Sequence, residues 1–373
     1  MDFEEKKRLQ NIYDAEVTQR LLNPSESKVY SELTRQKHPD ISLNTFGCVE
    51  LLPFIKLEFK NQKPIEIMDF GCGAGSDLAL YHRELQISRA VGIEISKKML
   101  SQALTLSEPI EWINGDHFDL MKLDQKFDCI TSNAVIHLIR NKSIVLKNIF
   151  SKLKKQGVLI SAEFVTSKPL PPIFMEHYKE SDGLFLFGGL IDRTSYLNLH
   201  FEANFEEVEI LKRIKFDPKP QIKNLLLNAR PKNYQEMMKS LDEIAFEILV
   251  TRSQKELASE QVAYQCVKCG ALQVASNKFY RSLNCQVHKN LVKLMHETQW
   301  SKCENCKTEQ FIAPFQIHEM QNKKMAFCFP SSMENDKHKI QRDILAPFMQ
   351  RLPHYKMLLC FYPNQLNTFL YSS

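Results

Sequence analysis

The chain has 373 residues, 43% hydrophobic and 25% charged, with a net charge of +5. That length exceeds one ordinary core, so two or more domains are expected, and the balance is that of a soluble globular protein rather than a fibrous or disordered one. The small positive excess, with both signs interspersed, argues neither for nor against nucleic acid.

No apolar run approaches the roughly 18 residues of a membrane span, and the start, "MDFEEKKRLQ", has no apolar signal-peptide core. Ten cysteines without such a signal fit a reducing, cytoplasmic setting, where paired cysteines mean metal more often than disulfide.

In chain order, residues 1–60 read as polar and mostly helical, with a loop at "KHPDISLNTFG". From Ile65 to Phe216 short apolar runs alternate with helical spacing. "IEIMDF", "RAVGIEI", "IEWINGD", "FDCITSNAV" and "GVLISAEFV" are strands. "SDLALYHREL", "SKKMLSQALTL" and "NKSIVLKNIFSKLKK", the last closed by Gly157, are helices. That alternation predicts βαβ units around a parallel sheet. Residues 168–192 break the rhythm as a loop-rich insertion, and "RTSYLNLHFEANF" and "EEVEILKRIKF" form a last helix and strand. "DPKPQ" then interrupts the chain, 233–250 has the spacing of one long amphipathic helix, and "TRSQKELASEQ" has the polarity of a linker. The expected domains are 1–216, a helical linker over 217–260, and a cysteine-paired tail over 261–373.

The stretch "MDFGCGAGSD" places Gly71, Gly73 and Gly75 at a strand-to-helix turn. Glycines there let backbone approach a ligand. Ser76 stands where a dinucleotide loop needs Gly or Ala, which weakens a pyrophosphate reading. Ser76 and Asp77 read as helix caps, and Cys72 as a small filler. Glu94 and Asp116 close the next two strands, at positions where acids can hold ribose hydroxyls and an adenine amino group.

Over about 65–165 these motifs, in this order, resemble the Rossmann-like S-adenosylmethionine-dependent methyltransferases. The resemblance implies a doubly wound, mostly parallel sheet of seven strands. It implies that Asp69, Gly71, Gly73 and Gly75 surround the methionine end of the cofactor, that Glu94 takes the ribose and Asp116 and His117 the adenine, and that Asn133 lies under the sulfonium.

A wider resemblance over about 10–212 is to the arsenite methyltransferases. It is carried by "NTFGCVELLPF", by "TSNAVIHLIRNKSIVLKNIFSKLKKQGVLISAEFV" and by "LFLFGGLIDRTSYLNLHFEANFEEVEI". Only Cys48 matches one of that family's four cysteines. Ala134 and Leu186 stand where two others fall, and the earliest has no counterpart. One thiolate cannot build a three-sulfur site for a thiophilic ion, so a related methyltransferase with another small-molecule acceptor, of the thiol, selenium or metalloid kind, is the main expectation, and arsenite the alternative. Cys48 and His137 are the candidate catalytic residues, a thiolate and a base of near-neutral pKa. Each also reads as a packed residue of the core. Tyr13 resembles a tyrosine that closes over the cofactor, and equally an apolar helix position.

In the tail, "YQCVKCGAL" and "SKCENCKTEQ" set Cys266 and Cys269 against Cys303 and Cys306. Four such sulfurs can bind structural Zn²⁺, the alternative being two reducible cysteine hairpins without metal. Cys285, His288, His296 and Cys328 are spare ligand types. From Cys266 to Pro330 the tail resembles the CpXC domain, a small zinc-ribbon-like module, although Val267 and Glu304 replace the prolines of its motif. The resemblance implies a small α+β module for recognition or architecture, and a protein or RNA substrate held there is the other enzyme reading. A chain that binds cofactor without turnover is the non-enzyme one.

Overall fold

The computed structural model describes residues 7, 10–11, 29–39, 41, 47–60, 64–172, 174, 189–220, 222–223, 234–256, 259–278, 282–284, 300–312, 315–319, 324–346, 349 and 356–361. Tyr13, Leu186, Cys285, His288 and His296 lie outside them. The chain divides into two compact units, Met1–Glu256 and Leu257–Ser373.

In the first unit, helices α1 (Glu32–Lys37) and α2 (Leu52–Glu58) precede β1 (Ile65–Phe70). Then come α3 (Ser76–Glu84), β2 (Ile87–Glu94), α4 (Lys97–Ala103), β3 (Ile110–Asn114), α5 (His117–Leu120) and β4 (Phe127–Asn133). A single 3-10 turn at Ile136–Leu138 leads to α6 (Lys142–Lys152), β5 (Leu153–Thr166), α7 (Arg193–Glu202), β6 (Glu207–Phe216), α8 (Tyr234–Asp242) and β7 (Phe246–Gln254).

The strands form one sheet in the order β3-β2-β1-β4-β5-β7-β6. Neighbours from β3 to β5 are parallel, and β7 runs antiparallel to both β5 and β6. Both faces are covered, which is why the strands read as continuous apolar runs. Ile65 and Ile67 pack on one side with Leu78 and Leu80 of α3; Met68 and Phe70 pack on the other with Val145, Leu146 and Ile149 of α6. The chain winds outward from β1 to β3, then returns to place β4 on the other side of β1. In such a sheet the crevice beyond the carboxyl ends of β1 and β4 is where ligands bind.

Two sequence readings are corrected here. The long helix over 233–250 is two elements: α8 ends at Asp242 and Phe246–Gln254 is the seventh strand. Its apolar residues serve both faces, Ile248 and Val250 on one and Leu249 on the other, and their spacing from Met237 and Leu241 mimics a helix. The polar residues that resembled a linker are interior. Thr251 Oγ1 lies 2.9 Å from Ser161 Oγ, and Ser253 Oγ lies 2.7 Å from His200 Nδ1. Partnered hydroxyls can be buried without the cost of an unsatisfied group. The first unit therefore runs past 216, and the second half of the expected 217–260 linker belongs to the sheet. The second correction concerns Gly157, which does not close α6. The helix ends at Lys152 on an extended Leu153, and Gly157 lies inside β5, where a Cβ would stand 2.8 Å from the Phe127 carbonyl oxygen.

The second unit contains a hairpin of β8 (Ser259–Gln265) and β9 (Leu272–Lys278), then β10 (Ser282–Asn284), and a hairpin of β11 (Trp300–Lys302) and β12 (Glu309–Phe311). β13 (Phe315–Glu319), β14 (Lys324–Cys328), α9 (Lys337–Ile340) and β15 (Lys356–Cys360) follow, and β10, β13, β14 and β15 make a four-stranded sheet. Met325, Phe327, Ile340 and Phe361 form its small core.

Candidate active site and cysteine cluster

β1 delivers the glycine loop to the switch point. Gly71, Gly73 and Gly75 have φ of 77°, 56° and 82°, the left-handed region that side chains resist. A Cβ on Gly71 would stand 2.4 Å from Val135 Cγ2. The loop's amides are largely engaged. Gly71 and Cys72 donate to the Ile93 carbonyl at 2.8 and 3.1 Å, Gly73 donates to Glu94 Oε2 at 2.9 Å, and Gly75 donates to the Cys72 carbonyl at 2.9 Å. A pyrophosphate cradle requires such amides free, so the structure strengthens the argument against a dinucleotide.

The loop opens onto a cleft beyond the carboxyl ends of β1 and β4, where a doubly wound sheet places its ligand site. Asp69, Gly71, Gly73, Glu94, Asp116 and Asn133, six of the residues assigned to the cofactor from sequence, line it. Gly75 does not: it caps α3, and a Cβ there would meet Trp112 at 2.5 Å. His117 does not either. It is fully buried at the start of α5, its ring centroid 4.3 Å from that of Phe118.

Asp77 also lines the cleft and was missed. Its place in the first turn of α3 reads as a cap, yet Gly75 takes the cap position. The Asp77 carboxylate instead accepts from Tyr30 Oη and, at 3.0 Å, from Asn133 Nδ2. No sequence signal marks this role, because its partners lie 47 and 56 residues away. Asn133 itself is a tie rather than an open wall residue. Nδ2 donates to the Val49 carbonyl at 2.8 Å, and Oδ1 accepts from the Cys48 amide at 2.8 Å. The bonds draw the 47–49 segment against the cleft, so that Gly47 lines it; a Cβ on Gly47 would meet Asn133 Nδ2 at 2.4 Å.

The electrostatics are one-sided. Four carboxylates line the cleft, and no lysine or arginine does among the described residues. Burial, then the nearby Asp77 charge, pushes Asp69 up to about 8, against a hydrogen bond from Thr131 Oγ1 at 2.7 Å. Burial also raises Asp77, opposed by Tyr30 and Asn133. Such a pocket repels phosphates and suits a ligand carrying positive charge. Glu94 accepts from the Gly73 and Ser96 amides, one on each oxygen, which fixes the carboxylate in the cleft wall. An S-adenosyl ligand, with its ammonium, sulfonium and ribose diol, fits this donor set.

The two proposed catalytic side chains stand behind the walls. Cys48 does not line the cleft; its thiol donates to Asn133 Oδ1 at 3.5 Å and to the Ala162 carbonyl at 3.6 Å. Burial, followed by the Glu163 charge, pushes that thiol up and disfavours the thiolate. His137 is buried, with Nδ1 2.7 Å from Glu163 Oε2 and its ring edge-on to Phe164. His137 is thus a packed residue, whereas Cys48 is half-buried beside the cleft residues Gly47 and Asn133.

In the second unit the four expected sulfurs converge. All four Sγ atoms lie within 4.8 Å of one another, with Cys266 3.5 Å from Cys306 and Cys269 3.6 Å from Cys303. The two turns repeat one geometry. Gly270 and Lys307, at φ of 72° and 58°, donate back to the carbonyls of Cys266 and Cys303 at 2.8 and 2.9 Å. Tetrahedral Zn²⁺ with Zn–S near 2.3 Å places sulfurs about 3.8 Å apart, so this donor set fits the ion. Cys328, buried in β14, is not part of the cluster.

Comparison with known proteins follows the geometry. Residues 61–191 match the family described as a methyltransferase domain. Over 159 residues the chain is 29% identical to a demethylmenaquinone methyltransferase of Lactobacillus johnsonii, a stretch covering 39% of this chain and 64% of that one. Over 112 residues it is 31% identical to a trans-aconitate 2-methyltransferase of Escherichia coli, covering 30% and 42%. Among solved structures, an arsenic (III) S-adenosylmethionine methyltransferase from Chlamydomonas reinhardtii aligns with a TM-score of 0.47 and 16% identity, over 72% of this chain and 93% of that one. The chain thus spans 64% and 42% of the length of those two curated relatives. Glycine loop, acid-lined cleft and sequence likeness coincide on the same residues: residues 61–191 of the first unit match a methyltransferase domain.

Proposed function

We propose that the protein transfers the methyl group of S-adenosylmethionine to a small-molecule acceptor, and that Cys266, Cys269, Cys303 and Cys306 hold one structural Zn²⁺. The observation that carries the first statement is the cleft at the switch point, walled by Asp69, Asp77, Glu94 and Asp116 without a basic residue among the described ones. The bound donor would supply an already electrophilic methyl, so the protein's task is orientation and exclusion of water. In this reading Asp69 and Asp77 face the ammonium end, Glu94 takes the ribose diol, and Asp116 faces the base. Asn133 holds the 47–49 segment against the cleft and thereby narrows the solvent path.

Cys48 and His137 act as packing and positioning groups rather than as thiolate and base. For that reason arsenite is not the acceptor we assign: Cys48 is the single thiol matching that family's set, and its sulfur is hydrogen-bonded and held protonated. Calorimetry with S-adenosylmethionine and S-adenosylhomocysteine tests the donor site, and absence of binding refutes it. An assay of S-adenosylhomocysteine release against thiols, arsenite and fractionated cell extract then identifies the acceptor; release with arsenite at the rate of the best alternative would overturn the assignment.

The zinc reading is supported by the convergence of four thiols on two matched turns. A site closed by four cysteines has no open position, so its role is structural. Elemental analysis is expected to return one zinc per chain.

A further inference from the structure

At the end of β5 stands a carboxylate for which the sequence offers one oblique signal, a lone acid inside the apolar run "GVLISAEFV". Glu163 is wholly buried, on the strand face shared by Leu159 and Val165. It accepts from three successive backbone amides, Val135 and Ile136 on Oε1 at 3.2 and 3.0 Å and His137 on Oε2 at 3.1 Å. Ser132 Oγ adds a bond to Oε1 at 3.3 Å, and His137 Nδ1 lies 2.7 Å from Oε2. A buried carboxylate is tolerated when its lone pairs are filled in this way, and charge-assisted bonds of this kind are the strong ones.

The segment it grips is a wall of the cleft. Ala134, Val135, Leu138 and Ile139 all line it, and Val135 is the residue against which Gly71 is packed. Ala134 has φ of 65°, an unfavourable conformation for a residue with a Cβ, and its amide donates to the Ala162 carbonyl at 2.8 Å. Such strain persists only where surrounding contacts over-determine it. Those contacts are the last two residues before Phe164: Ala162 fixes the amide of Ala134, and Glu163 fixes the next three.

We infer that Glu163 is a positioning residue, which holds the 134–139 wall in the shape that receives the S-adenosyl group; this rests on the donor reading above. Glu163 itself does not line the cleft. It acts through the backbone of Val135, Ile136 and His137, and His137 is conscripted as a fifth donor rather than presented to an acceptor.

The test is calorimetry of S-adenosylhomocysteine on the full chain, wild type beside Glu163→Gln. The amide of glutamine would turn a donor toward the backbone N–H groups, and affinity is expected to fall about tenfold or more, the worth of a charge-assisted hydrogen bond. In the double variant Glu163→Gln with Ala134→Gly, part of that affinity should return, because glycine accepts the left-handed turn unaided; a general loss of stability would not be repaired there. Amide proton resonances of Val135, Ile136 and His137 should shift upfield together in Glu163→Gln. If Glu163→Gln does not fold, Glu163→Asp, which keeps the charge but shortens the reach, is expected to bind about fivefold or more weakly by the same argument. A variant that binds as tightly as wild type overturns the inference, whereas a wild type that does not bind at all overturns the donor reading instead.

Discussion

Asp69 and Asn133 illustrate how single residues here hold two duties. An unfolded aspartate titrates at 3.8, and burial beside Asp77 lifts Asp69 to about 8. Between those values the native protein keeps a proton that the unfolded chain has lost, so the contribution of Asp69 to stability is full below about pH 4 and declines as pH rises toward 8. A cationic ligand reverses the preference and expels that proton. Donor affinity is therefore expected to rise across about pH 6 to 8, by at most about tenfold per unit, and to level off above. Calorimetry in buffers of different ionisation enthalpy reads the released proton directly; a flat profile would refute the linkage. Asn133→Ala removes three partners at once and leaves the Cys48 amide and the Val49 carbonyl without theirs. It should cost about 3 kcal/mol in denaturant unfolding, from unsatisfied groups worth about 1–3 kcal/mol each, and weaken donor binding as the 47–49 segment is released.

Among the elements, β7 decides where the first unit ends. It pairs with β5 from Val158 to Thr166 and with β6 from Glu207 to Phe216, and without it β5 keeps only β4 and β6 has no partner in the sheet. Arg252 on β7 also bridges Glu58 of α2, at 2.6 and 2.9 Å, and Glu207 of β6 at 3.2 Å. A protein truncated after Phe216 is expected to be insoluble or to melt without cooperativity, because unpaired edges and the apolar faces of Ile248, Leu249 and Val250 are lost from the core. One ending at Glu256 should give a single cooperative transition by circular dichroism. Strands β1 to β5 were legible because each is a short apolar run bounded by turn signals. β7 was not, since its inward Thr251 and Ser253 look like solvent-facing residues until Ser161 and His200 are placed opposite them.

Across the whole molecule, the two units rest on different forces. The first has an extensive apolar core on both sheet faces, whereas among the described residues of the second the apolar packing gathers around Met325 and Phe327 and around Trp300, Phe311 and Phe315. Zinc bound only by the folded tail would supply stability on the order of 10 kcal/mol. Chelation is therefore expected to broaden or abolish the unfolding transition of 257–373 while S-adenosylhomocysteine binding by residues 1–256 persists. Cys303→Ser should reproduce the effect without a chelator. Retained cooperative melting of the tail in both experiments would exclude a structural metal.

The sequence by itself determined what depends on local pattern. Alternating apolar runs and helical spacing dictated a mostly parallel sheet, three alternating glycines marked the strand-to-helix turn at the cleft, and two pairs of cysteines at fixed spacing brought four sulfurs together. Tertiary structure alone decided which polar residues are inside and what they face. It moved Asp77 from a cap to the cleft wall, set Cys48 and His137 behind that wall, and gave Glu163 its five donors. The reason is physical: the state of a buried polar group depends on partners that the fold brings from distant stretches of chain, and no spacing along the chain records them.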